Sequence, residues 1–427
     1  MLGVEGSPLG GVDLVDIKLT SVCTDTDIAV IGAGPQALTL VTHLLQKKKA
    51  MRSRFQIFDP SGQWLTRWRR QFAAQEIPYL RSPAVHHPDP NPHALLSFAE
   101  HREQELYDPY RRPGARLFQE FCETVIDRWQ LRDRVIPAQV AQLLPEQGRF
   151  RLILAEGRTV IARRVVLATG NHTPHLPDWV KAIPKNTPPE RLRHSSAVDL
   201  SAMPRLTAET VLIVGSGLTS GHLAMGAIKR GARVLLMARR QFQEKIFDAP
   251  PGWLGPKYLK GFLAETDWRR RSQMIHQARN GGSLTPDMLT RLRRLSHDNK
   301  VTLYEHCQVE AARWKEDAWQ VRCSNHDVHD CLAHQPINRI WLATGSQLDI
   351  TSHSLLGAVL SQHPTQIING LPVLDEHLRW PGCELFLMGP WAGLQVGPVA
   401  RNLFGGKLCC DRIIPALIKP IGSRHHR

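Results

Sequence analysis

A chain of 427 residues is long enough for two or three domains with an ample core. Its 42% apolar and 22% charged content is that of a globular protein and excludes a disordered or fibrous one. The net charge of +15 arises from 54 basic and 39 acidic side chains scattered in short clusters such as Arg67–Arg70 and Arg269–Arg271; with no aromatic-basic module among them, it points to a basic surface and sites for anionic small ligands, not to nucleic acid.

Residues 1–26 are Gly-rich and weakly patterned, without the basic start and apolar core of a signal peptide, and are expected to form a mobile arm. No uninterrupted apolar run reaches membrane-spanning length. The eight cysteines include no C-x-x-C pair and no zinc spacing, and the adjacent Cys409 and Cys410 sit in an apolar closing segment. This usage is that of a reduced, cytoplasmic protein.

The first chemical signal is Ile28–Ile31, an apolar strand, followed by Gly32-Ala-Gly34-Pro35-Gln36-Ala37 and a helix over Pro35–Gln46. Gly32 allows a tight turn, Gly34 lets a pyrophosphate approach the backbone, and Ala37 keeps helix and sheet close. The helix N-terminus then presents unpaired N–H groups to the phosphates. The next strand, Arg54–Phe58, ends at Asp59, whose carboxylate suits ribose hydroxyls. Ser82–Pro92 is a Pro/His-rich loop. His86, His87 and His93 beside Asp89 lack fixed ligand spacing, so no metal site is expected.

Leu117–Trp129 has helical spacing, and Ala138–Leu144, Phe150–Leu154 and Arg158–Ala162 alternate like an antiparallel meander, with Val140 at its start placed among the cofactor contacts. Val165–Gly170 is a strand ending in Ala-Thr169-Gly170. Asn171–Pro204, with six prolines, reads as a linker. Val211 then begins a second strand, turn and helix through Gly215-Ser-Gly217-Leu-Thr219-Ser220. Its next strand, Val234–Met237, ends not in an acid but in Ala238-Arg239-Arg240, which favours the 2′-phosphate of NADPH over the free hydroxyl of NADH. Gln241–Lys300 is a polar, mostly helical insertion, read as a lid, a subunit contact or padding. Ile340–Gly345 repeats the Ala-Thr-Gly strand ending, and Pro381–Leu417 closes the chain with Gly389, Gln395 and Gly397 in a Gly/Pro turn before a last helix.

Two such units predict an α/β protein with two Rossmann-like dinucleotide-binding domains, one for FAD and one for NADPH, the second inserted into the first. The expected boundaries are 27–190 and 336–417 for the FAD domain and 205–335 for the NADPH domain, the latter containing the 241–300 insertion.

Over roughly Asp27–Arg412 the chain resembles the two-dinucleotide-binding-domain flavoproteins, and within them the flavin-dependent lysine/ornithine N-hydroxylating monooxygenases. Gly62-Gln63-Trp64 resembles a Gly-x-Trp that covers FAD. Tyr79-Leu-Arg-Ser-Pro83 and Pro88–Phe98 resemble the flavin-proximal loop and helix start. Arg112–Phe121 resembles the helix that follows, Arg193-His194-Ser195-Ser196 the His-Ser-Ser turn leading into the NADPH domain, and Gly389-Pro390 through Gly397-Pro398 the closing FAD turn. Two departures stand out: Ser346 follows the second Ala-Thr-Gly where a tyrosine is usual, and Pro188 and Glu190 stand upstream of His194 where a stricter fingerprint has Phe and Gly.

The resemblance implies a hydride passed from NADPH to flavin, reaction with O2 to a C4a-peroxyflavin, and oxygen transfer to a small amine-like substrate. Under it, Gly397-Pro398 launches the last helix toward the charge on reduced flavin. His194 is either a catalytic acid or nicotinamide anchor, or a linker histidine bonded to backbone. Arg81 either holds a carboxylate or the peroxide's charge, or is a surface salt-bridge partner. A flavin reductase without oxygen insertion and a non-enzymatic flavin-binding scaffold are alternative readings, and the sequence does not set the oligomeric state.

Overall fold

The structure, a computed structural model, describes residues 24–170, 173–279, 281–333 and 335–419. The expected N-terminal arm lies mostly outside these, and its last three residues already belong to a strand. In chain order the first unit contains β1 (Thr24–Ile31), α1 (Pro35–Lys47), β2 (Phe55–Asp59), α2 (Ala115–Arg128), β3 (Val135–Pro137), β4 (Val140–Glu146), β5 (Arg149–Leu154) and β6 (Thr159–Leu167). Ile28 to Ile31 are at most 5% exposed, because parallel neighbours on both edges and helices on the faces demand an unbroken apolar run. β1 pairs in parallel with β2 on one side and with β6 on the other.

β6 is long because it serves two roles. Its first half pairs antiparallel with β5, completing the expected meander, while its last residues, Val165–Leu167, pair in parallel with a late strand, Leu385–Leu387. The register sets Ile31 beside both Phe58 and Leu167, and Leu167 beside Leu387. These strands therefore end level, and Gly32, Ala168 and Met388 leave the sheet at one edge.

The second unit comprises β7 (Leu192–His194), β8 (Thr210–Val214), α3 (Leu218–Lys229), β9 (Arg233–Met237), α4 (Pro256–Ala264), α5 (Trp268–Arg279), α6 (Pro286–His297), β10 (Val301–Tyr304), the hairpin of β11 (Val309–Lys315) and β12 (Ala318–Cys323), and β13 (Arg339–Leu342). Its parallel sheet runs β10-β9-β8-β13-β7. The chain then returns to the first sheet with β14 (Leu385–Leu387) and ends in α7 (Leu403–Ile418).

The expected linker and boundaries are corrected by this topology. Leu192–His194 lies inside the supposed linker yet forms the edge strand beside β13, and β13 itself falls after residue 335. A three-residue strand carrying Arg193 and His194 has no alternation to read; it is recruited because β13 leaves an open edge.

The insertion packs against the closing segment of the first unit. Trp253, Phe262 and Ala278 share a buried cluster with Val399. Arg271 Nη1 donates to the Leu394 carbonyl at 3.1 Å and Arg279 Nη1 to the Pro398 carbonyl at 3.2 Å. Among the described residues no helix is long and apolar enough to cross a membrane.

Candidate functional site: two glycine cradles and their junction

Gly32 has φ +103°, and a Cβ there would stand 2.9 Å from the Ala168 carbonyl oxygen, so only glycine lets β1 turn out beside the first Ala-Thr-Gly. Gly34 caps α1 with extended backbone and no side-chain cap, and Pro35 opens the helix. A Cβ on Gly34 would meet nothing within 4 Å. The first cradle is thus open space at a helix N-terminus, which fits the pyrophosphate of FAD. Ala37 is fully buried, as close helix–sheet packing requires.

Asp59 stands at the end of β2 and already organises its surroundings. Its Oδ2 accepts the Ala33 N–H at 3.1 Å, and its Oδ1 accepts the Ser61 N–H at 3.0 Å and the Ser61 hydroxyl at 2.6 Å. A carboxylate offers about four acceptor sites, so room remains for a ribose hydroxyl. Gln63 is exposed, and its Oε1 accepts Arg69 Nη2 at 3.2 Å. Trp64 corrects the expectation of a flavin cover: it is 4% exposed within the core, and its single N–H donates to the Leu131 carbonyl at 2.7 Å. Val140 is 7% exposed at the start of β4.

Thr169 and Gly170 are half-buried, and the Gly170 carbonyl accepts the Trp391 indole N–H at 3.3 Å. Gly389 has φ +67° and faces Gln36. Gln36 donates through Nε2 to the Asn402 carbonyl at 2.9 Å and packs on Gly406, joining the first turns of α1 and α7. Gln36 Oε1 and Gln395 Oε1 are buried with no partner among the described residues, although Gln395 Nε2 donates to the Leu374 carbonyl at 3.1 Å. Two orphaned acceptors at this edge suit a ligand with N–H or O–H donors, as FAD has. Gly397 does not launch the last helix. With φ +90° it faces Leu259 and Phe262 of the insertion, Pro398–Arg401 forms a separate turn, and α7 begins at Leu403.

The second cradle repeats the first. Gly215 has φ +149°, and a Cβ there would stand 2.4 Å from the Ala343 carbonyl oxygen. Gly217 caps α3, and a Cβ there would stand 3.9 Å from the Gly282 Cα. Thr219 is half-buried, and Ser220 is fully buried with its hydroxyl donating to the Gly217 carbonyl at 2.7 Å. Beyond β9, Arg239 is exposed and Arg240 lays its guanidinium beside Gly281, in the turn that borders Gly217. The strand end carries these two cations and no acid, a set that fits the 2′-phosphate of NADPH.

Between the cradles the two units meet. His194 Nε2 donates to the Gly345 carbonyl at 2.9 Å, and its Nδ1 accepts from the Ser196 hydroxyl at 2.8 Å and the Ser196 N–H at 3.2 Å. Burial, followed by the neighbouring His175, holds its pKa below the ordinary value despite the Gly345 bond. A neutral ring with both nitrogens engaged holds the Ala-Thr-Gly turn of β13 and is not placed as a catalytic acid. Of the two roles expected for Arg81 it takes that of a salt-bridge partner, toward Asp248, with its placement corrected. It is not at the surface, its side chain being 14% exposed, and it has no N–H left for a peroxide or substrate. Nε donates to Ile246 O (2.7 Å), Nη1 to Asp248 Oδ1 (2.7 Å) and Ser283 O (3.4 Å), and Nη2 to Lys245 O (2.6 Å) and Ser283 Oγ (2.8 Å). It clamps the insertion to the first unit.

Sequence reasoning missed Asp248, Arg279 and Arg401. Arg279 Nη2 reaches Asp248 Oδ2 at 3.3 Å, and Arg401 Nη2 reaches the Ser346 hydroxyl at 3.4 Å. Arg401 was within reach of sequence reading, standing just past Gly397-Pro398 in the closing turn. The Pro/His loop instead satisfies itself. Asp89 accepts from Arg128, from the Trp129 indole at 3.2 Å and from the Asn91 N–H at 2.9 Å, while His87 bonds the Pro92 carbonyl at 3.2 Å.

His86 packs 5.1 Å from the Phe404 ring at the start of α7. Burial, then the neighbouring His87 and Lys407, pull its pKa from 6.5 down to about 4. The folded form stays neutral while the unfolded one takes up a proton, so this contribution is complete above the unfolded pKa and disappears as pH falls toward the folded one. Unfolding measured between about pH 7 and about pH 4 is expected to lose stability, His86 contributing up to about 3 kcal/mol. His86→Leu should flatten that slope; an unchanged slope would remove His86 from the account.

Comparison with known proteins agrees with this geometry. Residues 29–172 match an FAD-NAD(P)-binding family, and residues 116–348 match the L-lysine 6-monooxygenase/L-ornithine 5-monooxygenase family. No curated protein matches the sequence. Among solved structures, the Kutzneria sp. 744 ornithine N-hydroxylase aligns with 18% identity and a TM-score of 0.74, covering 92% of this chain and 99% of its own. The Pseudomonas aeruginosa ornithine hydroxylase aligns with 16% identity and a TM-score of 0.72 over the same shares. The Erwinia amylovora cadaverine monooxygenase aligns with 13% identity and a TM-score of 0.73, covering 94% and 97%. At such identities the structures establish the shared fold, while the family match spans more than half of the chain and takes in the whole second cradle. The chain with this pair of glycine turns thus has its family: it belongs to the L-lysine 6-monooxygenase/L-ornithine 5-monooxygenase family of flavin-dependent oxidoreductases.

Proposed function

We propose that this enzyme uses NADPH and O2 to hydroxylate the nitrogen of a small primary amine bound where its two units meet. One observation carries the reading: Arg401 of the closing turn of the first unit reaches the Ser346 hydroxyl, directly after the second Ala-Thr-Gly, at 3.4 Å. FAD, when bound, supplies hydride acceptance and the activation of oxygen.

The chain supplies position and exclusion of water. Gly34 opens the head of α1 to phosphate, Gly217 stands at the head of α3 beside the Gly282 backbone, and Arg239 and Arg240 follow the strand end where a 2′-phosphate would be read. His194 holds the Gly345 turn, and Arg81 draws the 245–248 segment over the junction. The aromatic cluster of Trp253 and Phe262 backs the closing turn, restricting solvent.

The test is anaerobic mixing of the FAD-loaded protein with nicotinamide cofactors, followed by oxygen and a panel of primary amines. NADPH is expected to bleach the flavin at least about tenfold faster than NADH, the size of one charge-assisted contact. Hydroxylamine should then accumulate with one of the amines. Bleaching followed only by hydrogen peroxide for every amine would leave a reductase or oxidase and defeat the proposal.

A further inference from the structure

Shortly before Arg81, Tyr79 makes a separate bridge between the two units. Its hydroxyl donates to Asp287 Oδ2, and Asp287 stands in the first turn of α6. Burial, followed by the Asp287 hydrogen bond, pushes the Tyr79 pKa up to about 12. Burial opposes the charge on Asp287, but hydrogen bonds from Tyr79 and Thr285 and the nearby Arg112 outweigh it and hold the carboxyl below its ordinary value. A neutral phenol therefore donates to a carboxylate, the stronger class of hydrogen bond.

Each end of the bridge is fixed within its own unit. On the first side, the Leu80 N–H donates to the Pro113 carbonyl and the Ala115 N–H to the Pro78 carbonyl, both at 2.9 Å, lacing residues 78–80 to the start of α2. Tyr107 stacks on the Tyr79 ring with centroids 4.6 Å apart, and the Arg112 guanidinium lies 4.7 Å from the centre of the same ring. The Arg112 side chain is buried; its Nη2 donates to the Asp108 carbonyl at 2.6 Å, and its Nη1 stands 3.9 Å from Asp287 Oδ1. On the second side, Met288 packs on α3 where Gly221 has no side chain: a Cβ there would stand 2.7 Å from Met288 Cγ. Just upstream, a Cβ on Gly282 would stand 3.2 Å from the Gly217 Cα, so the segment leading into Asp287 borders the second cradle.

We propose that Asp287, acting through Tyr79, is a positioning residue for hydride transfer: their bond sets how far the second cradle stands from the Tyr79–Pro83 loop of the first unit. The inference rests on the reading above that NADPH reduces the flavin. Reacting atoms must come within about 3–3.5 Å, and a misplacement of about 1 Å costs on the order of 100-fold. Each cradle fixes its own ligand, so the separation of the two is set by contacts that bridge the units. The Tyr79 bond is such a contact, and Met288 carries it directly to α3, whose head is the second cradle. Arg81 still anchors Lys245, Asp248 and Ser283 when that bond is lost. The insertion then stays attached while α6 and α3 shift against the loop.

The experiment uses the FAD-loaded full chain. Flavin bleaching at saturating NADPH without oxygen gives the transfer rate, and calorimetry with NADP+ gives the affinity separately. Tyr79→Phe and Asp287→Ala are each expected to slow bleaching about tenfold. Flavin content and NADP+ affinity should change by less than about twofold. The double variant should be no slower than either single one, since both remove the same contact. Asp287→Asn removes the charge at the head of α6 but keeps an acceptor oxygen for the phenol, and should retain most of the rate. Single variants that bleach at the unaltered rate, a double variant that multiplies the two losses, an Asp287→Asn protein as slow as Asp287→Ala, or a loss confined to NADP+ affinity overturns the proposal. Amide hydrogen exchange gives a reading free of chemistry: Asp287→Ala should speed exchange at Leu80 and at Gly221, on opposite sides of the bridge. If NADPH fails to bleach even the unaltered protein, the NADPH-to-flavin reading fails, and exchange alone decides whether the bond holds the units in place. Faster exchange at both amides supports it, and unchanged exchange overturns it.

Discussion

Gly34→Val is expected to yield a folded protein that has lost its flavin. The added side chain meets no protein atom within 4 Å of its Cβ and the backbone there is already extended, so the substitution carries little strain. It projects instead into the space at the head of α1, where a pyrophosphate would draw on the unpaired helix N–H groups. Loss of that approach should weaken FAD binding by on the order of 100-fold. Gly32→Ala, by contrast, drives a Cβ to 2.9 Å from the Ala168 carbonyl at φ +103° and should damage the fold itself. The ratio of flavin to protein absorbance, read beside circular dichroism, separates the two outcomes. A Gly34→Val protein that purifies with a full complement of FAD would mean the cradle is elsewhere.

Arg81→Ala should destabilise the protein by about 3 kcal/mol, less than the loss of a fully buried pair because Asp248 remains partly solvated and keeps Arg279. The larger consequence is local. Ile246 O, Lys245 O and Ser283 Oγ lose their shared donor, which should release the insertion from the first unit. Limited proteolysis is expected to cut within residues 241–300 more readily in the variant. Arg81→Lys should recover only part of the loss, since an ammonium has three N–H groups in no fixed fork where the guanidinium places five. Denaturation and proteolysis indistinguishable from the unaltered protein would show that the bonds contribute nothing to holding the junction.

The two Rossmann-like units and their cradles were legible in the amino-acid sequence because their determinants are contiguous. An apolar run, a glycine, an open glycine and a helix start follow within ten residues or so, and Asp59 or Arg239 stands at the end of the next strand by the geometry of one strand-helix-strand unit. Where the outcome depended on which distant group came within about 3 Å, sequence had no purchase. Trp64 matched a flavin-covering motif, yet the Leu131 carbonyl claimed its only donor. His194 matched a signature turn, yet Gly345 and Ser196 took both ring nitrogens. Arg81 and Asp248 are 167 positions apart, and nothing in either neighbourhood predicts their pairing. A strand of three residues became part of the second sheet only because β13 offered an unpaired edge. Local backbone chemistry therefore determined what each unit can hold. The long-range placement of a few cations and carbonyls, which only chain folding decides, determined what stands between the two cofactors.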